Sequence, residues 1–65
     1  MKITINGTKT EVQATNLADL LKELGHGDAK VATALNEDFV PVAARTDTAL
    51  EAGDRVEIVA PRQGG

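Results

Sequence analysis

Cysteine, tryptophan and tyrosine are absent from this sequence of 65 residues, and phenylalanine, methionine and histidine occur once each. Without cysteine there is neither a disulfide framework nor a thiolate metal site, which agrees with a reducing compartment. A single histidine leaves zinc without its usual set of nitrogen and sulfur ligands. No apolar run approaches the roughly 18 residues of a membrane span. The opening Met1-Lys2-Ile3-Thr4-Ile5-Asn6 lacks the apolar stretch of a signal peptide, so the expected location is the cytoplasm. Positive charge is the scarcer sign, with seven Lys and Arg against ten Asp and Glu and a formal net charge of -3. Nucleic acid and anionic membrane, which are held by neutralising phosphate, are therefore not expected partners, whereas a basic protein surface is.

What the chain does contain is aliphatic. Six Val, three Ile and six Leu supply the core of a single small domain. Burying each of these side chains is worth roughly 1.5 to 3 kcal/mol, against an ordering cost of about 1.5 kcal/mol per residue, so regular secondary structure must carry part of the stability. Ile3 and Ile5 alternate with Lys2 and Thr4 at the period of a half-buried strand. Asn6-Gly7 then suits a type I′ turn, which predicts a hairpin into a second strand from Lys9 to Gln13 with Thr10 and Val12 inward. Leu17, Leu20, Leu21 and Leu24 fall on one stripe of a helix that Asn16 can cap and Gly25 can end. A strand is expected from Val31 to Leu35, a turn at Asn36-Glu37-Asp38, and a short edge strand at Phe39 and Val40 before Pro41. Between residues 43 and 52 only Leu50 stands out, as a core anchor; Gly53-Asp54 then launches a last strand from Arg55 to Ala60, with Val56 and Ile58 facing the core. The order strand, strand, helix, strand, short strand, strand predicts an α+β domain over residues 1–60, its sheet packed on one main helix.

Residues 61–65, Pro61-Arg62-Gln63-Gly64-Gly65, are expected to form a flexible tail that reaches about 17 Å when extended and threads a partner's site. Two glycines without Cβ fit a narrow tunnel and leave the terminal carbonyl carbon open to attack from both sides, which suits acyl activation. In that chemistry the Gly65 carboxylate attacks the α-phosphate of ATP inside a partner enzyme, and a sulfur nucleophile displaces AMP to leave a thiocarboxylate. Positioning and charge stabilisation come from the partner, because this sequence has no phosphate-binding glycine loop. Val59 faces away from Val56 and Ile58, so it is a candidate for an exposed partner-binding patch. Phe39 is a second candidate for that patch, although as the one aromatic residue it is read in preference as a core plug. Arg62 could pair with a partner carboxylate. His26 and the scattered Glu37, Asp38, Asp47, Glu51 and Asp54 show neither a nucleophile to activate nor metal-ligand spacing.

The Ile3-Thr4-Ile5-Asn6-Gly7 opening, the leucine helix, the segment from Ala34 to Pro41, the Gly53-Asp54 turn and the final Gly64-Gly65 together resemble the ThiS family, the small sulfur carrier proteins of thiamin biosynthesis. The resemblance spans essentially the whole chain. It implies a ubiquitin-like β-grasp fold with a mixed sheet of four to five strands. It also implies a carrier that is not itself an enzyme and binds no cofactor, with ATP used by a ThiF-type adenylating enzyme. A sulfur-donor protein would load Gly65, and a thiazole synthase would accept the sulfur. Many family members carry Arg directly after Val-Pro, where this sequence has Val42, with Arg45 three positions on. Alternatives are a carrier like the small subunit of molybdopterin synthase, a ubiquitin-like protein modifier and, from another class, a β-grasp adaptor module with an inert tail.

Overall fold

The amino-terminal alternation becomes a hairpin, in which β1 (Lys2–Ile5) runs into β2 (Thr8–Glu11) through Asn6 and Gly7 at φ 49° and 85°. Two successive left-handed residues make the type I′ turn, whose twist matches that of the paired strands. The computed structural model describes residues 1–27 and 30–60. β2 begins one residue earlier and ends two residues earlier than the sequence pattern suggests, yet Val12 beyond it is buried, its N–H bonded to the Met1 carbonyl at 2.8 Å. The Met1 amino group donates to the Val12 carbonyl and lies 2.9 Å from the Glu11 carboxylate. The hydrogen bond that this amino group donates to the Glu11 carboxylate, and then its positive charge, hold the Glu11 carboxyl below the usual glutamate range.

Helix α1 (Leu17–Glu23) is shorter than its leucine stripe: Leu24 is the half-buried C-cap. Both ends account for their orphan backbone groups. The Asn16 side chain accepts from the Asp19 N–H at 2.8 Å, while the N–H groups of Leu17 and Ala18 donate to the carbonyls of Thr48 and Arg45. At the other end Gly25, at φ 86°, lets His26 N–H reach the Leu21 carbonyl at 2.7 Å and its own N–H reach Lys22. This is the Schellman arrangement, and it requires a left-handed residue at that place. The Glu23 carboxylate turns back to accept the N–H groups of Gln13 and Ala14, satisfying two donors in the connection from β2.

A second hairpin joins β3 (Ala32–Leu35) to β4 (Asp38–Val40) through Asn36 and Glu37 at φ 50° and 74°. It repeats the first turn's geometry with a glutamate where the first has glycine, so Asp38, expected in the turn, is instead the first residue of β4 opposite Leu35. A left-handed L-residue costs roughly 1 to 2 kcal/mol, part of which glycine would return as unfolded-chain entropy. Glu37→Gly is therefore expected to stabilise the fold by about 0.5–1 kcal/mol, seen as a rise of several degrees in melting temperature. Loss of its exposed 3.5 Å contact with Arg55 offsets little of that gain.

Pro41 follows β4 and leads into a 3-10 turn at Val42–Ala44. The stretch from Arg45 to Leu50 then folds back over the start of the helix, with a bridge between Asn16 and Ala49, and anchors Leu50 in the core. The last strand, β5 (Arg55–Val59), enters the middle of a five-stranded sheet ordered β2-β1-β5-β3-β4, parallel to β1 and antiparallel to β3. β4 lies at an edge, as Pro41 requires. One face of the sheet packs Ile3, Val40, Val56 and Ile58 with Leu17, Leu20 and Leu21 of the helix. Among the described residues, no helix is long and apolar enough to cross a membrane.

Candidate functional site: the last strand and the outer sheet face

With the helix on one face of the sheet, register decides what the other face carries. Ala32 lies opposite Val59, Ala34 opposite Glu57 on one side and Phe39 on the other, so these five side chains share the outer face. Phe39 is 70% exposed and Val59 61% exposed. The preferred reading of Phe39 as a core plug is thus wrong: the side chain is exposed, which leaves the reading as a partner-docking residue as a proposal. Val40 takes the inward position of that short strand, and alternation turns its neighbour Phe39 outward. Between the two large side chains, the alanines of β3 form the floor of a shallow depression that Glu57 borders. Val42 is also exposed, but it lies beside Ala18, Lys22 and Arg45 near the helix, apart from this patch.

The other half of the outer face is charged. Lys2 pairs with Glu11, Thr4 with Lys9, and Thr4 again with Arg55. In a chain of net negative charge, three of the cations therefore stand beside an apolar dish on one surface.

β5 is braced at each end by an asparagine from a hairpin turn. At its start Asn36 donates its backbone N–H to the Arg55 carbonyl at 2.7 Å and accepts the Arg55 N–H on Oδ1 at 3.0 Å. Its amide also donates to Asp54, whose carboxylate accepts the Glu51 N–H and so closes the turn before the strand. At the far end Asn6 accepts the Ile58 N–H at 2.8 Å and donates to the Ile58 carbonyl at 3.0 Å. The sequence marks both asparagines only as turn formers, because their second role depends on which strand lies next to the hairpins. Pro61, Arg62, Gln63, Gly64 and Gly65, the residues read as a threading tail with its reactive end, lie outside the described residues. Ala60, exposed just after β5, is the last described position.

Arg45 is 8% exposed. Its guanidinium donates to the Thr33 hydroxyl at 3.1 Å and to the Val31 carbonyl, and Thr33 in turn donates to the Val40 carbonyl at 2.9 Å. This arginine is spent on holding the segment over the helix to β3 and β4, and it is not presented to a partner. His26 is half-buried in the loop after the helix. Among the described residues, no three of His, Cys, Asp and Glu gather where they could hold a metal ion.

The ThiS family model matches residues 3–65. The chain superposes on the crystal structure of the thiamine biosynthesis protein ThiS from Geobacter metallireducens with a TM-score of 0.85 at 30% identity, covering all of both chains. A solution structure of a thiamine biosynthesis protein from the same organism gives 0.80 at 29% identity, covering all of this chain and 88% of that one. A protein of Paramagnetospirillum magneticum named thiazole synthase is 39% identical over 66 residues, where this chain spans only 20% of its length. With five strands in mixed order around one helix and a family match through nearly every residue, the chain belongs to the ThiS family, the small sulfur carriers of thiamin biosynthesis, and has their ubiquitin-like β-grasp fold.

Proposed function

We propose that the chain carries sulfur as a thiocarboxylate at Gly65 and delivers it for thiazole formation. The observation that carries this reading is the family match, which runs through Gly64 and Gly65 and so includes the tail along with the folded body. In the first step a carboxylate oxygen of Gly65 attacks the α-phosphorus of ATP and pyrophosphate leaves. In the second, a sulfur nucleophile at the oxidation level of hydrosulfide attacks the acyl carbon, AMP leaves with the bonding electrons, and a proton is released. The ATP, the magnesium that accompanies it and the charge-stabilising groups belong to a ThiF-type activating enzyme; the carrier binds no cofactor and serves as substrate. A sulfur-donor protein supplies the nucleophile. Thiazole synthase is the acceptor, a reading supported by the Paramagnetospirillum thiazole synthase, which holds a similar unit within a chain about five times as long.

Intact mass spectrometry of the natural protein, co-expressed with its activating enzyme and a sulfur source, tests this. A species heavier by the difference between sulfur and oxygen, placed on the peptide ending at Gly65, is expected. Absence of that species and of any AMP adduct overturns the reading, and the same spectrum reports whether Gly65 is the last residue.

Phe39 and Val59 are the proposed grip for the activating enzyme, with Pro61, Arg62 and Gln63 leading the glycines into its site. Large apolar side chains in the centre of an interface carry most of its affinity. Replacing both Phe39 and Val59 by Ser is expected to raise the KM of ATP–pyrophosphate exchange by about 10- to 100-fold. Because both side chains are exposed, the melting temperature is expected to stay near that of the wild type. An unchanged KM would remove the patch from the interface.

A further inference from the structure

We propose that Asn6 is a positioning residue for the docking end of β5, its side chain standing in for a strand residue against Ile58 and so fixing the strand end that carries Val59 and Ala60. The proposal rests on the reading of Gly65 given above and adds to it a part of the folded body on which presentation of that residue depends.

The parallel ladder between β1 and β5 pairs Thr4 with Arg55 and Ile5 with Val56, and its rungs include Thr4 N–H to the Asp54 carbonyl and Asn6 N–H to the Val56 carbonyl, both at 2.9 Å. The next groups of β5 that face β1 are those of Ile58, two residues on. β1 cannot reach them, because the chain turns away at Asn6 and Gly7. The Asn6 amide reaches them instead, its oxygen accepting the Ile58 N–H and its nitrogen donating to the Ile58 carbonyl, across 52 residues of sequence.

The turn alone does not demand asparagine. Asp or Gly would suit the first left-handed position of a type I′ turn equally well. Only asparagine combines tolerance of that backbone with one donor and one acceptor on the same short side chain. On its other side β5 stays paired to β3 as far as Val59 opposite Ala32. Without the Asn6 rung, β5 is held from one side only beyond Val56. Val59, the proposed docking residue, then sits on a strand end that opens more readily.

Asn6→Gly removes both bonds and keeps the turn. Asn36→Gly is the matched control: it removes the equivalent side-chain brace from Arg55 at the start of β5, in the same type of turn, and leaves the end of the strand intact. For the full chain acting on its ThiF-type activating enzyme, Asn6→Gly is expected to raise the KM of ATP–pyrophosphate exchange about five- to tenfold with kcat within about twofold. The Ile58 amide is expected to exchange with solvent at least about tenfold faster in the same variant. Asn36→Gly, at comparable loss of urea stability, is expected to leave both near wild type. Asn6→Asp, which keeps the acceptor for the Ile58 N–H and loses the donor, is expected to fall between wild type and Asn6→Gly, and it serves as the test should the glycine variant fold poorly. A wild-type KM in Asn6→Gly, an equal rise in Asn36→Gly, or unaltered Ile58 exchange overturns the proposal. A wild-type chain that supports no exchange at all overturns the Gly65 reading itself, and the positioning role with it.

Discussion

Removal of Gly64 and Gly65 is expected to abolish sulfur loading while the melting temperature stays within about 2 °C of the full chain, as for changes far from any packed feature. Among the described residues the core closes at Ile58, and Val59 and Ala60 are already exposed. The truncated chain would still offer a carboxylate, on Gln63, but two residues short and on a carbon bearing a side chain. An adenylating site must bring that carboxylate in line with the α-phosphate to within near-attack distance, and a displacement of even about 1 Å can cost a hundredfold. Gly65→Ala keeps the length and adds one methyl group, which separates the two causes. It is expected to retain binding while slowing acyl activation, whereas the truncation loses product altogether. Mass spectrometry of the loaded chain and a thermal melt of each variant provide the readouts. A truncated chain that still supports thiazole formation would favour the adaptor reading, in which the tail is inert.

Much of this fold is legible in the sequence because local signals agree with one another. The leucine stripe, Asn16 before it and Gly25 after it all mark one helix, and Asn6-Gly7 between alternating segments marks one hairpin. The second hairpin is harder to read because Glu37, not glycine, takes the left-handed position, so its turn blurs into Asp38. Phe39 misleads for a different reason. A lone aromatic residue next to Val40 offers two apolar side chains in a strand of three residues, and only the register against β3 decides which one turns inward. Glu23 and Asn6 act on backbone groups ten and 52 residues away, and no periodicity reports such pairings. The outer-face dish is likewise a product of strand order, since Ala32, Phe39 and Val59 come from three strands that meet only in the sheet. Of the proposed site, the end proposed to react is read from the sequence alone, while the patch proposed to dock requires the sheet.

Arg45→Ala is expected to destabilise the fold by about 2–4 kcal/mol, a large share of the roughly 3–10 kcal/mol available to a chain of this size. The substitution removes a buried aliphatic stem and leaves the Val31 carbonyl and the acceptor side of the Thr33 hydroxyl without their donors. It also loosens the segment whose carbonyl groups at Arg45 and Thr48 receive the first N–H groups of the helix. Among the described residues no carboxylate pairs with this guanidinium, so the charge is stabilised by neutral acceptors alone. Burying it therefore carries a desolvation cost that an apolar residue of similar reach avoids. Arg45→Met, which keeps the stem's volume without the charge, is accordingly expected to lose only about 1–2 kcal/mol, with Arg45→Lys falling nearer to Ala because a lysine cannot reproduce the planar fork. Urea denaturation of the three variants orders them; equal losses in Met and Ala would show that the hydrogen bonds, and not the packed stem, carry the site. None of the three alters Phe39, Val59 or β5, so the KM for the activating enzyme, measured where each variant remains folded, is expected to match wild type. That result would separate this arginine, which fastens the body, from the exposed Val42 three positions before it.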